Sequence, residues 1–126
     1  MLKRLFALIT EKKTKMVATR KIDSTFDVTG QILPDQAADI AARGYRTLIC
    51  MRPDNEGFNQ PAFAEVKAAA EGAGIETIYF PVVPGAMTSE QARQLKAILA
   101  RQDGPVLAYC ASGNRCAAAY DLAKRA

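Results

Sequence analysis

Residues 109–116 read Tyr-Cys-Ala-Ser-Gly-Asn-Arg-Cys, and this is the stretch of the chain most able to do chemistry. A cysteine that follows a buried strand and precedes a helix sits where backbone N–H groups converge. Those amides and the helix N-terminus favour thiolate over thiol, which makes Cys110 a candidate nucleophile. Gly113 lets the backbone bend so that successive amides point inward. Ser112 can hydrogen-bond the sulfur or a bound oxyanion, and Arg115 can fork two N–H groups onto an anion held over it. Residues 111–115 (Ala111, Ser112, Gly113, Asn114, Arg115) are thus a candidate anion-binding loop. The plainer reading is a helix start in which Cys110 is a small buried residue and Arg115 a surface charge.

The other two cysteines carry weaker signals. Cys50 lies inside an apolar run and reads as core. Cys116 follows Arg115 directly; it reads as a packing residue, with a resolving thiol for oxidised Cys110 as the alternative. There is no histidine and no paired C-x-x-C, so no metal site is expected. Nor does any motif ask for a cofactor. A second polar cluster, Arg52-Pro-Asp-Asn-Glu56, follows the run Thr47–Met51. Asp54 is a candidate acid or base there, with an Asx turn as its competing role. Glu56 and Arg52 are candidate supporting groups; solvated charge and a surface ion pair are the alternatives.

These residues need a scaffold, and the pattern supplies one. Short apolar runs alternate with helical segments: Phe26–Thr29, a helix over 35–43 with inner face Ala37, Ala38, Ile40 and Ala41, then Thr47–Met51. An alanine-rich helix over 62–73 stops at Gly74, and a strand over 75–80 ends at Pro81. Thr88 with Gln91 forms a capping box for a helix to about 102, Val106–Tyr109 is the last strand, and a closing helix covers 116–126. Strand–helix alternation predicts an α/β fold: a single-domain parallel sheet of about four strands with helices on both faces. Ligands in such sheets sit beyond the carboxyl ends of the strands, so the loops at 52–57, 81–87 and 110–115 should share one rim.

The 126 residues suit one domain with its own core, and no apolar run reaches the roughly 18–20 residues that span a bilayer. Three cysteines at irregular spacing are no disulfide framework, which points to a reducing, cytoplasmic compartment. Residues 1–21 hold seven basic residues against one acid, whereas the rest holds ten basic and twelve acidic. Segment 1–21 is therefore read as a basic N-terminal extension and 22–126 as the domain, with no nucleic-acid surface on the domain itself. Leu2, Leu5, Phe6, Leu8 and Ile9 among the lysines and arginines allow weak contact of the extension with an anionic membrane surface. A solvated extension is the simpler account.

The order Q-I-L-P-D-Q, G-Y-R-T-L-I-C-M-R-P-D-N-E-G, A-G-I-E-T-I-Y-F-P-V and G-P-V-L-A-Y-C-A-S-G-N-R resembles the bacterial family of beta-lactamase-hydrolase-like protein, phosphatase-like domain, from about residue 24 onward. The resemblance implies a fold like the dual-specificity and tyrosine phosphatases, and an activity of either phosphatase or sulfurtransferase type. It also implies association with a metallo-hydrolase linked to persulfide oxidation. The chain departs from the family at Ala111, usually arginine, and at Cys116, usually serine. Cysteine-dependent phosphatases place five residues between cysteine and arginine, and here four intervene. The stretch Y-C-A-S-G-N-R is also similar, as a motif, to the persulfide loop of rhodanese-type sulfurtransferases. A phosphatase needs an acid for the leaving alkoxide, yet residues 81–87 (P-V-V-P-G-A-M) contain none. The expectation is accordingly a sulfurtransferase forming a persulfide on Cys110, with a small anionic or thiol/persulfide substrate. A hydrolase acting through a cysteinyl-phosphate, with Asp54 or Glu56 as acid, is the alternative. A third is an anion-binding or redox-sensing module in which Cys110 and Cys116 pair.

Overall fold

The computed structural model describes residues 16–126. Residues 1–15, most of the basic extension and all of its apolar cluster, lie outside the described residues. Five strands form one sheet: β1 (Arg20–Asp23), β2 (Phe26–Thr29), β3 (Thr47–Cys50), β4 (Glu76–Tyr79) and β5 (Val106–Tyr109). Their spatial order is β1-β2-β5-β3-β4, with β2, β5, β3 and β4 parallel. The helices are α1 (Ala37–Ala42), preceded by a 3-10 turn at Pro34–Gln36, then α2 (Phe63–Gly72), α3 (Ser89–Ala100) and α4 (Asn114–Arg125).

The two central strands, β3 and β5, are buried at every position, as their unbroken apolar runs require. Strand alternation then builds two half-cores. Ile49, Met51, Val106, Ala108 and Cys110 face α3 and α4, meeting Leu95, Ala119 and Ala123. Leu48, Cys50, Leu107 and Tyr109 face the opposite way, onto Ile40, Val66 and Ala70 of α1 and α2. Each half-core buries enough side chain, at roughly 1.5–3 kcal/mol per large residue, to hold a helix layer on its face.

Three expectations change. The sheet has a fifth strand: β1 pairs antiparallel with β2 across the two-residue turn Ser24-Thr25, with a bulge between Lys21 and Asp23. Its sequence Arg-Lys-Ile-Asp is largely polar, and none of it is fully buried because it is an edge, so it lacks the apolar signal of its neighbours. The helix expected over 35–43 is shorter and begins as a 3-10 turn at Pro34, which leaves Ala38 exposed while Ala37 and Ile40 are buried. The closing helix starts at Asn114, two residues before Cys116, because Gly113 (φ +92°) already turns the chain into it. The capping box stands as expected: the Gln91 N–H donates to Thr88 Oγ1 (3.1 Å) and the Thr88 N–H to Gln91 Oε1 (2.9 Å).

Candidate active site

Because β2, β3, β4 and β5 run parallel, their carboxyl ends meet at one rim. Cys110 is the first residue beyond β5 and is 1 % exposed. Its N–H donates to Thr29 O (3.3 Å), which keeps it aligned with β2, and its sulfur faces the α3–α4 side. The chain then doubles back. The Gly113 N–H donates to the Cys110 sulfur at 3.0 Å, and the Asn114 N–H donates to Ser112 Oγ at 3.3 Å. A Cβ at Gly113 would only touch the Thr29 carbonyl, at 3.4 Å, so it is the left-handed φ of +92° that favours glycine. Behind the loop, a Cβ on Gly30 would come within 2.9 Å of Ala111 O.

The Cys110 thiol is pushed down to about 5 from its ordinary value near 9. The largest cause is the neighbouring Cys116 thiol, which donates to the sulfur; the N–H groups of Cys116, Ser112 and Gly113 add to it, and burial opposes it. Cys116 is itself completely buried, and the adjacent thiolate, with burial, pushes its own thiol far up. The two sulfurs therefore divide the labour as anion and donor. Cys50 is a third case: 2 % exposed, it donates to Arg52 O (3.2 Å) from the other half-core, and burial pushes it up.

Arg115 ties the rim together. Its Nη1 donates to Glu56 Oε2 (2.9 Å) and to Val82 O (2.9 Å), and its Nη2 donates to Glu56 Oε1 (2.9 Å). The fork on Glu56 is bidentate, the strongest geometry available to this pair. Glu56 also accepts from Arg52 Nε (3.1 Å), and Arg52 Nη1 reaches Gln31 Oε1 (3.0 Å). Loops after β2, β3, β4 and β5 are thus joined through one carboxylate and two guanidinium groups. The Arg115 hydrogen bond and charge, with Arg52 behind, hold the Glu56 carboxyl below its usual range. The third donor of Arg115, Nε, is buried and has no partner.

Asp54 is used differently. Its Oδ1 accepts from the Phe63 N–H (2.8 Å) at the first turn of α2, and its own N–H donates to the Tyr79 hydroxyl (3.0 Å), with Tyr79 stacked on Phe63. That is a helix-capping position, held through Oδ1.

An open cleft of about 430 Å³ leads to Cys110. Val82, Pro84 and Met87 form one wall, Ala118, Ala119 and Leu122 of α4 the other, with Ser112, Asn114 and Arg115 around the sulfur. No carboxyl group lines it among the described residues. Another cleft, of about 480 Å³, opens at the amino ends of the strands near Phe26, Lys96 and Tyr120, away from every cysteine. Two features of the site were absent from the sequence reading. The Glu56–Arg115 fork joins positions 59 apart and has no local signature. Arg20, counted with the basic extension, stands at the rim with its Nη2 on Asn114 Oδ1 (3.2 Å).

Residues 18–126 match the family model described as beta-lactamase hydrolase-like protein, phosphatase-like domain. The beta-lactamase hydrolase-like protein of Xylella fastidiosa is 34% identical over 103 residues, and that of Agrobacterium fabrum 30% over 102. These matches cover 82% and 81% of this chain but 24% of each relative, so the chain spans about a quarter of their length. Among solved structures, a "putative phosphatase" from Neisseria meningitidis is 33% identical with a TM-score of 0.74, covering 79% of this chain and 71% of that one. A similarly described protein of Shewanella putrefaciens gives 0.74 at 19% identity (90% and 71% covered), and Tk-PTP in its active form 0.60 at 19% (75% and 63%). The last two speak to the fold, which is that of the tyrosine-phosphatase-like α/β domains.

Proposed function

The chain belongs to the beta-lactamase hydrolase-like protein, phosphatase-like domain family, and from that premise we propose that it carries sulfane sulfur as a persulfide on Cys110. The observation that carries the choice is the state of Arg115. Its two terminal nitrogens are engaged by Glu56 and Val82 O, and its buried Nε–H has no partner. A phosphoryl group presents three oxygens and favours a forked guanidinium; a terminal persulfide sulfur is one soft anion and needs one donor beside the loop amides.

Proton supply supports the same reading. Phosphoester cleavage needs an acid for the leaving alkoxide, and Glu56, depressed by two arginines, is already ionised at neutral pH. Asp54 is occupied at the start of α2. Sulfur transfer needs neither. The Cys110 thiolate attacks the outer sulfur of a donor R–S–SH; the new S–S bond forms as the donor's S–S bond breaks, and the pair leaves on R–S⁻. The product is Cys110–S–SH, whose anion is stabilised by the same amides and Nε–H. An acceptor thiolate then takes the outer sulfur by the reverse exchange. We assign the role of downstream partner to a persulfide-oxidising metallo-hydrolase, as the sequence resemblance implies. The apolar walls Val82, Met87 and Leu122 suit a polarisable sulfur group better than a hydrated ester.

A second reading, phosphate-ester hydrolysis through cysteinyl-phosphate, draws on the likeness to the Neisseria meningitidis protein. Intact mass spectrometry separates the two. After thiosulfate or glutathione persulfide, the protein gains one sulfur that is absent in Cys110→Ser. If an aryl phosphate instead leaves a trapped phosphate with turnover, and no sulfur adduct forms, the sulfur reading is overturned.

A further inference from the structure

On the far side of Ser112 from the nucleophile's cleft lies a second groove, of about 530 Å³. It is lined largely by polar groups, among them Thr19, Arg20, Thr29, Gln31, Gln36 and Ser112. Ser112 borders both spaces, so the groove and the Cys110 cleft are neighbours across one residue. Most of its polar side chains are already engaged. Thr29 Oγ1 donates to Ala18 O, Gln31 holds Ile32 O and Arg52, and Gln36 holds Leu33 and Met16. Arg20 is the exception. Its guanidinium makes one hydrogen bond, to Asn114, and it joins none of the ion pairs formed among the described residues. No carboxylate lines the groove among those residues either.

Topology explains why this arginine is there. β1 runs antiparallel to β2, so its first residue, paired with Val28, stands at the carboxyl rim of the parallel strands. The bond to Asn114 then aims it along the cysteine loop. Arg115, the other cation lining these spaces, shares the Glu56 carboxylate with Arg52, so among the described residues Arg20 is the lining cation with no carboxylate partner.

We infer that this groove is a substrate subsite in which Arg20 binds a carboxylate of the sulfur-carrying molecule. The inference rests on the sulfur-transfer reading and narrows its substrate class: a small acidic thiol, or its persulfide, with sulfur at Cys110 and a carboxylate beyond Ser112. A neutral thiol of similar size lacks the second anchor. Arg20 is a specificity-determining residue, and takes no part in bond making.

The test is binding of a ligand that cannot transfer sulfur. Titrating the full chain calorimetrically with S-methylglutathione and with its diethyl ester should show the acid binding about ten-fold tighter. In Arg20→Gln the acid and the ester bind alike, while Arg20→Lys keeps part of the preference. No binding of the acid at millimolar concentration overturns the subsite, as does a preference that persists in Arg20→Gln or an equal loss of both ligands there. Because this readout needs no chemistry at Cys110, its failure is distinct from failure of the mass test above.

Discussion

At the scale of single residues, the pair Cys110 and Cys116 governs reactivity. The Cys116 thiol is the largest influence lowering the Cys110 thiol, and the loop amides contribute the remainder. Alkylation of Cys110 by iodoacetamide should therefore rise with pH to a plateau with a midpoint near 5, being fast above it and slow below. Cys116→Ala should move that midpoint up by about one unit or more, whereas Cys116→Ser, which keeps a donor, should hold it nearer the original. A midpoint that ignores residue 116 would return Cys116 to simple packing. The sequence made Cys110 legible because cysteine, glycine and arginine follow the strand in order within six residues. The donor role of Cys116 was hidden, since it depends on how the helix start folds back over the sulfur. Arg20 was hidden for another reason: it stands among other basic residues, and only strand pairing distinguishes it from them.

At the scale of elements, the loops after the strands matter more than the strands. The run of four buried residues in β3 and again in β5 was readable directly, as was the Thr88–Gln91 start of α3. β1 was not, because an exposed edge strand carries no apolar alternation. Asp54 illustrates a residue whose type suggested chemistry and whose Oδ1 holds the Phe63 N–H at the head of α2. Asp54→Asn keeps an acceptor for the Phe63 N–H and should leave both melting temperature and sulfur loading of Cys110 close to the parent. Asp54→Ala should cost about 0.5–2 kcal/mol, read by urea denaturation, again with loading retained. Turnover of an aryl phosphate that is lost in Asp54→Asn would reinstate it as an acid at the site.

At the scale of the whole molecule, the sheet separates two half-cores, only one of which touches the nucleophile. Leu95 and Cys110 share one, and Leu48 and Val66 the other. Leu95→Ala and Leu48→Ala should each destabilise by about 2–5 kcal/mol in thermal or urea unfolding. Only Leu95→Ala should also change the alkylation rate of Cys110 in the folded state, since α3 and α4 form the wall behind it; equal effects from both would mean the sheet transmits strain across its thickness. This two-sided plan was legible from the alternation of runs and helices, but the cross-linking of the rim was not, because its partners are far apart in sequence. That cross-linking has an evolutionary consequence. The Glu56 carboxylate occupies both terminal nitrogens of Arg115, so position 56 acts as a dial on ligand choice. A lineage that replaced it by a neutral residue would release that fork beside the same thiolate, and on the sulfur-transfer reading a single codon would then tilt the loop toward oxyanions.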